Sequence, residues 1–483
     1  MRTLILDGLF VYKDLERAYD SKTSLEIIFE KSKINKFERY ILLNNGNITD
    51  IPQGIKNVEI TEPTPSIILN AILSEAKNTE FVAVFDAGNP LYDHDFIEKM
   101  FERHEKYFAD YTYCIGYPEG LAPVILRKEV LKEFIKIADE DEIRKDYLFH
   151  TLSKDINSFD IETFLSPFDI RILRVKLGLN DAGEELLTGR VYSKFAKDFS
   201  IDNITEYYFK NPGELYTVPY MLALEITNSS PVTSIYYPEQ DSNKVEMDKN
   251  DAVEIIKSMH DINPDMHLLL GGQGEPLSHP DFFSIYGYVC EKEVNCVIET
   301  YGTLVDEAFI TKIKEFDNTR ISFVIKLDCY DQKTYDLVHA GGDFTKAKNT
   351  IILLKDVGIK TYKLAVRMHE NEIEIEKYIR NKEADDLIIR KFSNYCGALP
   401  DKKVVDLSPL KRIPCFHLRR EVNVNVRCRA TLCMYALKEE LGDLKKEKMP
   451  DIIKKMEECY KNNAGEKYLS VCSNCDDYYV FNF

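Results

Sequence analysis

Short apolar runs alternating with helical patterns organise the first 205 residues. Thr3-Leu4-Ile5-Leu6 predicts a strand, Ser24-Leu25-Glu26-Ile27-Ile28-Phe29 opens an apolar helix face, and Arg39-Tyr40-Ile41-Leu42-Leu43 predicts the next strand, closed by Asn44-Asn45-Gly46. A helix from about Pro65 to Ala76 leads to the strongest strand signal, Phe81-Val82-Ala83-Val84-Phe85-Asp86. Near-continuous apolar strands alternating with helices predict an open parallel α/β sheet covered on both faces. Asp86 then falls at a strand's carboxyl end, where such sheets bind ligands.

A polar connector, Phe209-Lys210-Asn211-Pro212-Gly213-Glu214, marks a boundary. The block at 221–398 holds six expected strands: Leu222–Thr227, Leu268–Leu270, Cys296–Thr300, Ile321–Leu327, Tyr362–Arg367 and Leu387–Arg390. Helical patterns such as Asp251–Met259, Lys346–Lys355 and Ile373–Ile379 separate them. Six βα units in this space predict a curved parallel sheet or a partial (βα)6 barrel. Leu399-Pro400-Asp401-Lys402-Lys403 reads as a second linker, followed by a cysteine-rich tail. The expected domains are 1–205, 221–398 and 412–483.

Composition narrows the class. With 44% apolar and 30% charged residues the chain can bury sizeable cores, which argues against a disordered chain. No run approaches the ~18 apolar residues of a membrane-spanning helix. The N-terminus meets Asp7 after three apolar residues and lacks a secretory signal, so a cytoplasmic protein is expected. Lys and Arg total 63 against 81 Asp and Glu, a net charge of −18, and a chain this acidic repels phosphate backbones. The best basic clusters, Arg419-Arg420 and Lys445-Lys446-Glu447-Lys448, are short, and nucleic acid is not an expected partner.

Eleven cysteines are unevenly placed: Cys114, Cys290, Cys296 and Cys329 lie in the first 380 residues, and the other seven fall between Cys396 and Cys475. In a reducing cytosol such a cluster reads as a metal site. Cys472-Ser473-Asn474-Cys475 is a CxxC, with Cys415, Cys428, Cys433 and Cys459 upstream. Two cysteines three apart grip one centre from a tight turn, and two more complete four thiolates. Spacing alone accepts zinc or an iron–sulfur cluster.

The middle block adds a resemblance. Leu269-Leu270-Gly271-Gly272-Gln273-Gly274-Glu275-Pro276-Leu277 follows a strand and resembles the glycine-rich GxGEP segment of radical S-adenosylmethionine enzymes. Leu224-Glu225-Ile226-Thr227-Asn228 resembles the lead-in to that family's cluster loop, and Glu299-Thr300-Tyr301-Gly302-Thr303 its "TNG" turn. Ile325-Lys326-Leu327-Asp328 and Phe344-Thr345-Lys346 continue the match in order. The resemblance implies a radical-SAM-like barrel in which Gly272, Gly274, Glu275 and Pro276 form a cofactor-binding segment, the backbone receiving the methionine amino group.

The family's CxxxCxxC loop is missing. Ser230, Ser234 and Tyr237 stand at the three thiolate positions, with Tyr236 at the aromatic place. Hydroxyl donors are harder and poorer ligands than thiolates, so the resemblance implies loss of the radical-generating cluster. Affinity for S-adenosylmethionine then rests on hydrogen bonds worth roughly 0.5–1.5 kcal/mol each.

In that context the tail resembles a SPASM domain. Cys415, the run Val422-Asn423-Val424-Asn425-Val426-Arg427-Cys428-Arg429-Ala430-Thr431-Leu432-Cys433, then Cys472 and Cys475 carry the likeness. It implies one auxiliary 4Fe-4S cluster on Cys415, Cys433, Cys472 and Cys475, with zinc as the alternative. Cys428 replaces the glycine of the family's turn and is a spare.

In the N-terminal block, Phe85-Asp86-Ala87-Gly88-Asn89-Pro90-Leu91 resembles the "DxDxPL" segment of cytidylyltransferases and GT-A-fold transferases. Asp86 matches the metal-holding aspartate, Gly88 stands at the second acidic place, and the glycine-rich phosphate loop is unmatched. This implies an inactive relative in which Asp86 caps a turn.

The full order resembles the spiro-SPASM protein family. The leading expectation is an iron–sulfur protein whose barrel binds a small molecule or protein partner without radical catalysis. An active radical enzyme with atypical cluster ligation, or a metal-dependent transferase at Asp86, are the alternatives.

Overall fold

The computed structural model describes residues 1–10, 19–138, 144–195, 199–239, 243–405, 412–473, 475 and 477–479. Asn474 of the CxxC and the last four residues of the expected third domain lie outside them. Two compact units form, Met1–Leu215 and Tyr216–Phe483.

In the first unit, β1 (Arg2–Asp7), β2 (Arg39–Asn44), β3 (Ile55–Glu59), β4 (Phe81–Asp86), β5 (Tyr111–Ile115), β6 (Val124–Arg127) and β7 (Ile161–Leu165) make one sheet in the order β3-β2-β1-β4-β6-β5-β7. Period-2 alternation divides β1 between two cores: Leu4 and Leu6 face one, Ile5 the other. Helices cover both faces. Pro65–Glu75 starts where Thr64 accepts from the Ile67 amide, with Pro65 in its first turn.

The sheet departs from the all-parallel expectation at β6, which runs antiparallel to both β4 and β5. Only residues 116–123 join β5 to β6. A parallel crossover needs about a dozen residues or more, so the chain turns back as a hairpin.

The second unit contains β8 (Met221–Leu224), β9 (Thr233–Ser234), β10 (His267–Leu270), β11 (Asn295–Thr300), β12 (Ile321–Lys326), β13 (His339–Ala340), β14 (Lys360–Arg367), β15 (Leu387–Lys391), β16 (Glu421–Val424), β17 (Arg429–Thr431) and β18 (Glu440–Asp443). Nine of them form a sheet in the order β15-β14-β12-β11-β10-β8-β16-β17-β18. From β8 to β15 all neighbours are parallel and follow chain order.

The C-terminal hairpin does not stand apart. β16 pairs parallel with β8, and β17 and β18 continue antiparallel. Across these strands Leu222, Leu224, Leu268, Leu270, Val422 and Val424 join one hydrophobic core. Their alternates, Leu269, Ala223, Asn423 and Thr431, sit in register on the opposite face. That face lines a cavity.

Candidate functional site

The cavity of the second unit lies on the inner face of the nine-stranded sheet, with residues just past the carboxyl ends of β8, β10 and β15 contributing to its wall. Parallel sheets leave unpaired backbone and loop side chains at this end, which is why ligands bind there. Tyr237, Tyr395 and Tyr435 wall it with rings at steep angles: Tyr237 and Tyr395 are 6.1 Å apart between centroids, Tyr395 and Tyr435 5.3 Å. Glu225, Glu299 and Arg390 supply charge. Buried Glu299 forms an ion pair with the half-buried Arg390. Burial pushes the Glu299 carboxyl up, but Arg390 and Lys326 outweigh it and hold it below the usual range.

The glycine-rich segment is already engaged by the protein itself. The Gln273 and Gly274 amides donate to Glu225 Oε1 at 3.0 and 3.3 Å. The Gly272 carbonyl accepts from the fully buried Lys326 ammonium at 3.0 Å. Gly272 has φ +121°, and a Cβ on Gly274 would stand 1.9 Å from the Thr227 carbonyl, so a side chain is excluded by the packing of two loops. Glu275 is buried and acts as a strut, accepting from Thr300 Oγ1 at 3.0 Å and the Tyr301 amide at 2.8 Å. Of the four expected cofactor contacts, Gly272 lines the cavity directly, together with Gly271 and Gln273.

The three residues at the thiolate positions are likewise committed. Ser230 Oγ donates to the Val232 carbonyl at 2.7 Å and accepts from its amide at 3.1 Å. Ser234 sits in β9, whose antiparallel pairing with β13 sets it opposite His339. Its hydroxyl lies 2.8 Å from His339 Nδ1 and 2.9 Å from Tyr301 Oη. His339 Nε2 in turn meets Asp328 Oδ2 at 2.8 Å. In the neutral ring an Asp acceptor makes Nε2 the donor, which leaves Nδ1 to accept the Ser234 proton and Ser234 to accept from Tyr301. Asp328 also accepts from Tyr236 Oη at 3.0 Å and the Val366 amide at 2.6 Å. Ser234, His339, Asp328 and Tyr301 are all at most 2% exposed. Tyr237 takes the Lys326 ammonium over its ring at 5.1 Å.

The Ser234–His339–Asp328 relay went unread in the sequence. Ser234 is 105 residues from His339, which is 11 from Asp328, and the pairing of β9 with β13 is what brings the serine to the histidine. A residue set with no short motif leaves no local signal.

The structure gathers the tail thiols with one further member. Cys396 shares a hydrogen bond with Cys475, which raises its thiol, as do burial and the neighbouring Cys475, Cys433 and Cys472. Cys415 is raised by burial and then by Cys433, Cys475 and Cys472. Burial pushes Cys433 up to about 12 against the Tyr435 and Ala436 amides that bond its sulfur. Cys472 is raised to about 11 by burial and Cys475. The Asp477 amide donates to Cys475 Sγ at 3.3 Å. Among the described residues no three side chains of His, Cys, Asp or Glu are arranged to hold a metal ion as they stand. The donors nonetheless suit a soft centre: Cys433 is buried, Cys396, Cys415, Cys472 and Cys475 are half-buried and raise one another's thiols, and backbone amides bond the sulfurs of Cys433 and Cys475.

Cys428 lies elsewhere, its sulfur 3.8 Å from Asp251 Oδ2 and its backbone at φ +59° in the turn between β16 and β17. Cys396 belongs to the sequence cluster but has no role assigned by spacing, and its left-handed φ of +56° carries no sequence signal in a cysteine.

In the first unit Asp86 ends β4 beside Asp7 at the end of β1. Asp86 Oδ1 accepts from the Gly88 amide at 2.9 Å, and Oδ2 pairs with Lys145 at 3.2 Å. Burial raises the Asp7 carboxyl to about 7; the Leu9 amide opposes this and Asp86 adds to it.

Comparison with known proteins supports the middle of the chain. Residues 230–381 match the family model described as the radical SAM superfamily, which makes this segment a radical-SAM-like domain. An uncharacterized protein of Treponema pallidum (strain Nichols) is 27% identical over 360 residues, covering 70% of this chain and 99% of that protein. Among solved structures, SuiB of Streptococcus suis aligns with 13% identity and a TM-score of 0.44 over 61% of this chain and 81% of its own. Native anSMEcpe with bound AdoMet aligns with 14% identity and a TM-score of 0.40 over 53% and 86%. Among the described residues no helix is long and apolar enough to cross a membrane.

Proposed function

We propose that the second unit is an iron–sulfur protein with one auxiliary 4Fe-4S cluster on Cys415, Cys433, Cys472 and Cys475, and a radical-SAM-like sheet that binds a small ligand or partner without radical chemistry. The observation that carries this reading is the contrast in donors. The superfamily's cluster and S-adenosylmethionine require open thiolates in the loop after β8. Here Ser230 and Ser234 spend their hydroxyls on internal bonds, and Tyr237 packs against Lys326. The Gly272 carbonyl, where the family resemblance puts the methionine amino group, holds an ammonium of the chain itself. These residues do not fit the loop cluster.

The tail does fit a cluster. Four thiolates would hold it, and amides bonded to Cys433 and Cys475 would stabilise their negative charge. Such a centre supplies electron transfer or cross-links the small C-terminal segment. A cytoplasmic location agrees with a reduced thiol cluster.

The first unit reads as an inactive relative of nucleotidyltransferases. Lys145 neutralises Asp86 where a divalent cation would sit, and Asp86 caps the turn at Gly88.

The test is iron, zinc and acid-labile sulfide per chain after anaerobic purification. About four irons and four sulfides are expected, with no deoxyadenosine formed from S-adenosylmethionine under reductant. About eight irons, or deoxyadenosine production, would overturn the reading of the loop; one zinc without sulfide would overturn that of the tail.

A further inference from the structure

The cavity of the second unit carries an unmet hydrogen-bonding demand. Asn423 is 4% exposed, lines the cavity from β16, and both its Oδ1 and its Nδ2 lack a hydrogen-bond partner among the described residues. Gln273 Nε2, buried in the same wall, also lacks one. Native proteins rarely leave buried amides unpaired, because the desolvation is uncompensated. Asn423 stands in register between Ala223 of β8 and Thr431 of β17, and the short side chain at 223 leaves room in front of it.

We propose that this cavity takes a small planar ligand through an amide edge. The ligand's N–H is read by Asn423 Oδ1 and its C=O by Asn423 Nδ2, with Gln273 Nε2 as a second donor. The inference rests on the ligand-binding reading above and names the chemistry of that ligand.

Three observations set the class. An amide is the complement of an amide, since each presents one donor beside one acceptor. Tyr237, Tyr395 and Tyr435 offer ring faces and edges to a flat group. Glu225 and Glu299 are matched in the lining by Arg390 and Lys391, so the cavity asks for no net charge. The space measures about 80 Å³, less than the roughly 150 Å³ that accommodates benzene, so the amide enters and the body of the ligand stays at the mouth.

The probes are nicotinamide, N,N-dimethylnicotinamide and S-adenosylmethionine, titrated calorimetrically into the anaerobically purified full chain. Nicotinamide is expected to bind, and the dimethyl analogue, which has no amide donor, to bind at least about tenfold more weakly. Asn423→Leu should abolish nicotinamide binding while raising the unfolding temperature of the free protein, because the unpartnered amide is gone. Asn423→Asp keeps the shape, removes the donor, and should weaken nicotinamide about tenfold. Equal affinity for both nicotinamides, or unchanged binding by both Asn423 variants, would overturn the proposal. S-adenosylmethionine binding without nicotinamide binding would overturn it and leave the ligand-binding reading standing. Silence from every probe would remove both and leave the cluster assignment to the iron content.

Discussion

The segment 228–237 and the tail from Cys415 to Cys475 present opposite solutions within one folded unit. The first carries hydroxyls where the resemblance puts a metal-binding loop, and those of Ser230 and Ser234 are bonded inward to backbone, histidine and tyrosine. The second keeps thiols, and bonds its sulfurs to backbone amides that leave the soft lone pairs usable. A buried hydroxyl must find a hydrogen-bond partner and so becomes part of the scaffold. A buried thiol packs as a small apolar group and stays available for a metal. Position in a fold does not preserve chemistry when the donor atom changes.

The largest effect expected is at the tail. Cys433→Ser should lower bound iron to below about a tenth of wild type, read by iron content and visible absorbance. Retained iron would break the contrast.

The loop should behave as structure. Asp328→Ala removes the acceptor of His339, Tyr236 and the Val366 amide, and should cost about 3–5 kcal/mol in chemical unfolding with tail iron retained by the folded protein. A cost under about 1 kcal/mol, the range of a surface contact, would make the relay incidental.

A half-buried carboxylate in the first unit, Asp7, gives a second test. Asp7 is raised to about 7, while unfolded aspartates titrate near 3.9. Between these values the folded state holds a proton that the unfolded chain has released, so stability falls as pH rises and levels off above about 7. Asp7→Asn should therefore stabilise by roughly 2–4 kcal/mol at pH 8 and by nothing at pH 3.5. A pH-independent gain would contradict the assignment.

The smallest effect separates cysteine number from cysteine placement. Cys428→Gly relieves a left-handed residue and should change stability by no more than about 1 kcal/mol, leaving iron unaltered. Lost iron would move the centre toward β17.

Much of this was legible in sequence. The six strands of the middle block fall within a few residues of their apolar runs, because period-2 and period-3.6 burial write themselves into the chain. Cys428 at the place of a turn glycine adopts the positive φ that the glycine would have. The antiparallel β6 escaped, since a short apolar run carries no direction. So did Lys326, whose partner Gly272 is 54 residues away and offers only a carbonyl.

The sequence by itself determined which donor atoms exist: no cysteine in the stretch between β8 and β10, seven cysteines near the end, an aspartate closing β4. Local periodicity also determined where strands and helices begin. Only the tertiary structure decided what those atoms are free to do. It placed Ser234 against His339, Lys326 on the Gly272 carbonyl, Cys396 beside Cys475, and Asn423 in a cavity wall with no partner for its amide among the described residues. The physical reason is that hydrogen bonds and electrostatic coupling act over a few ångströms of space, and parallel strand pairing brings together residues that lie far apart along the chain.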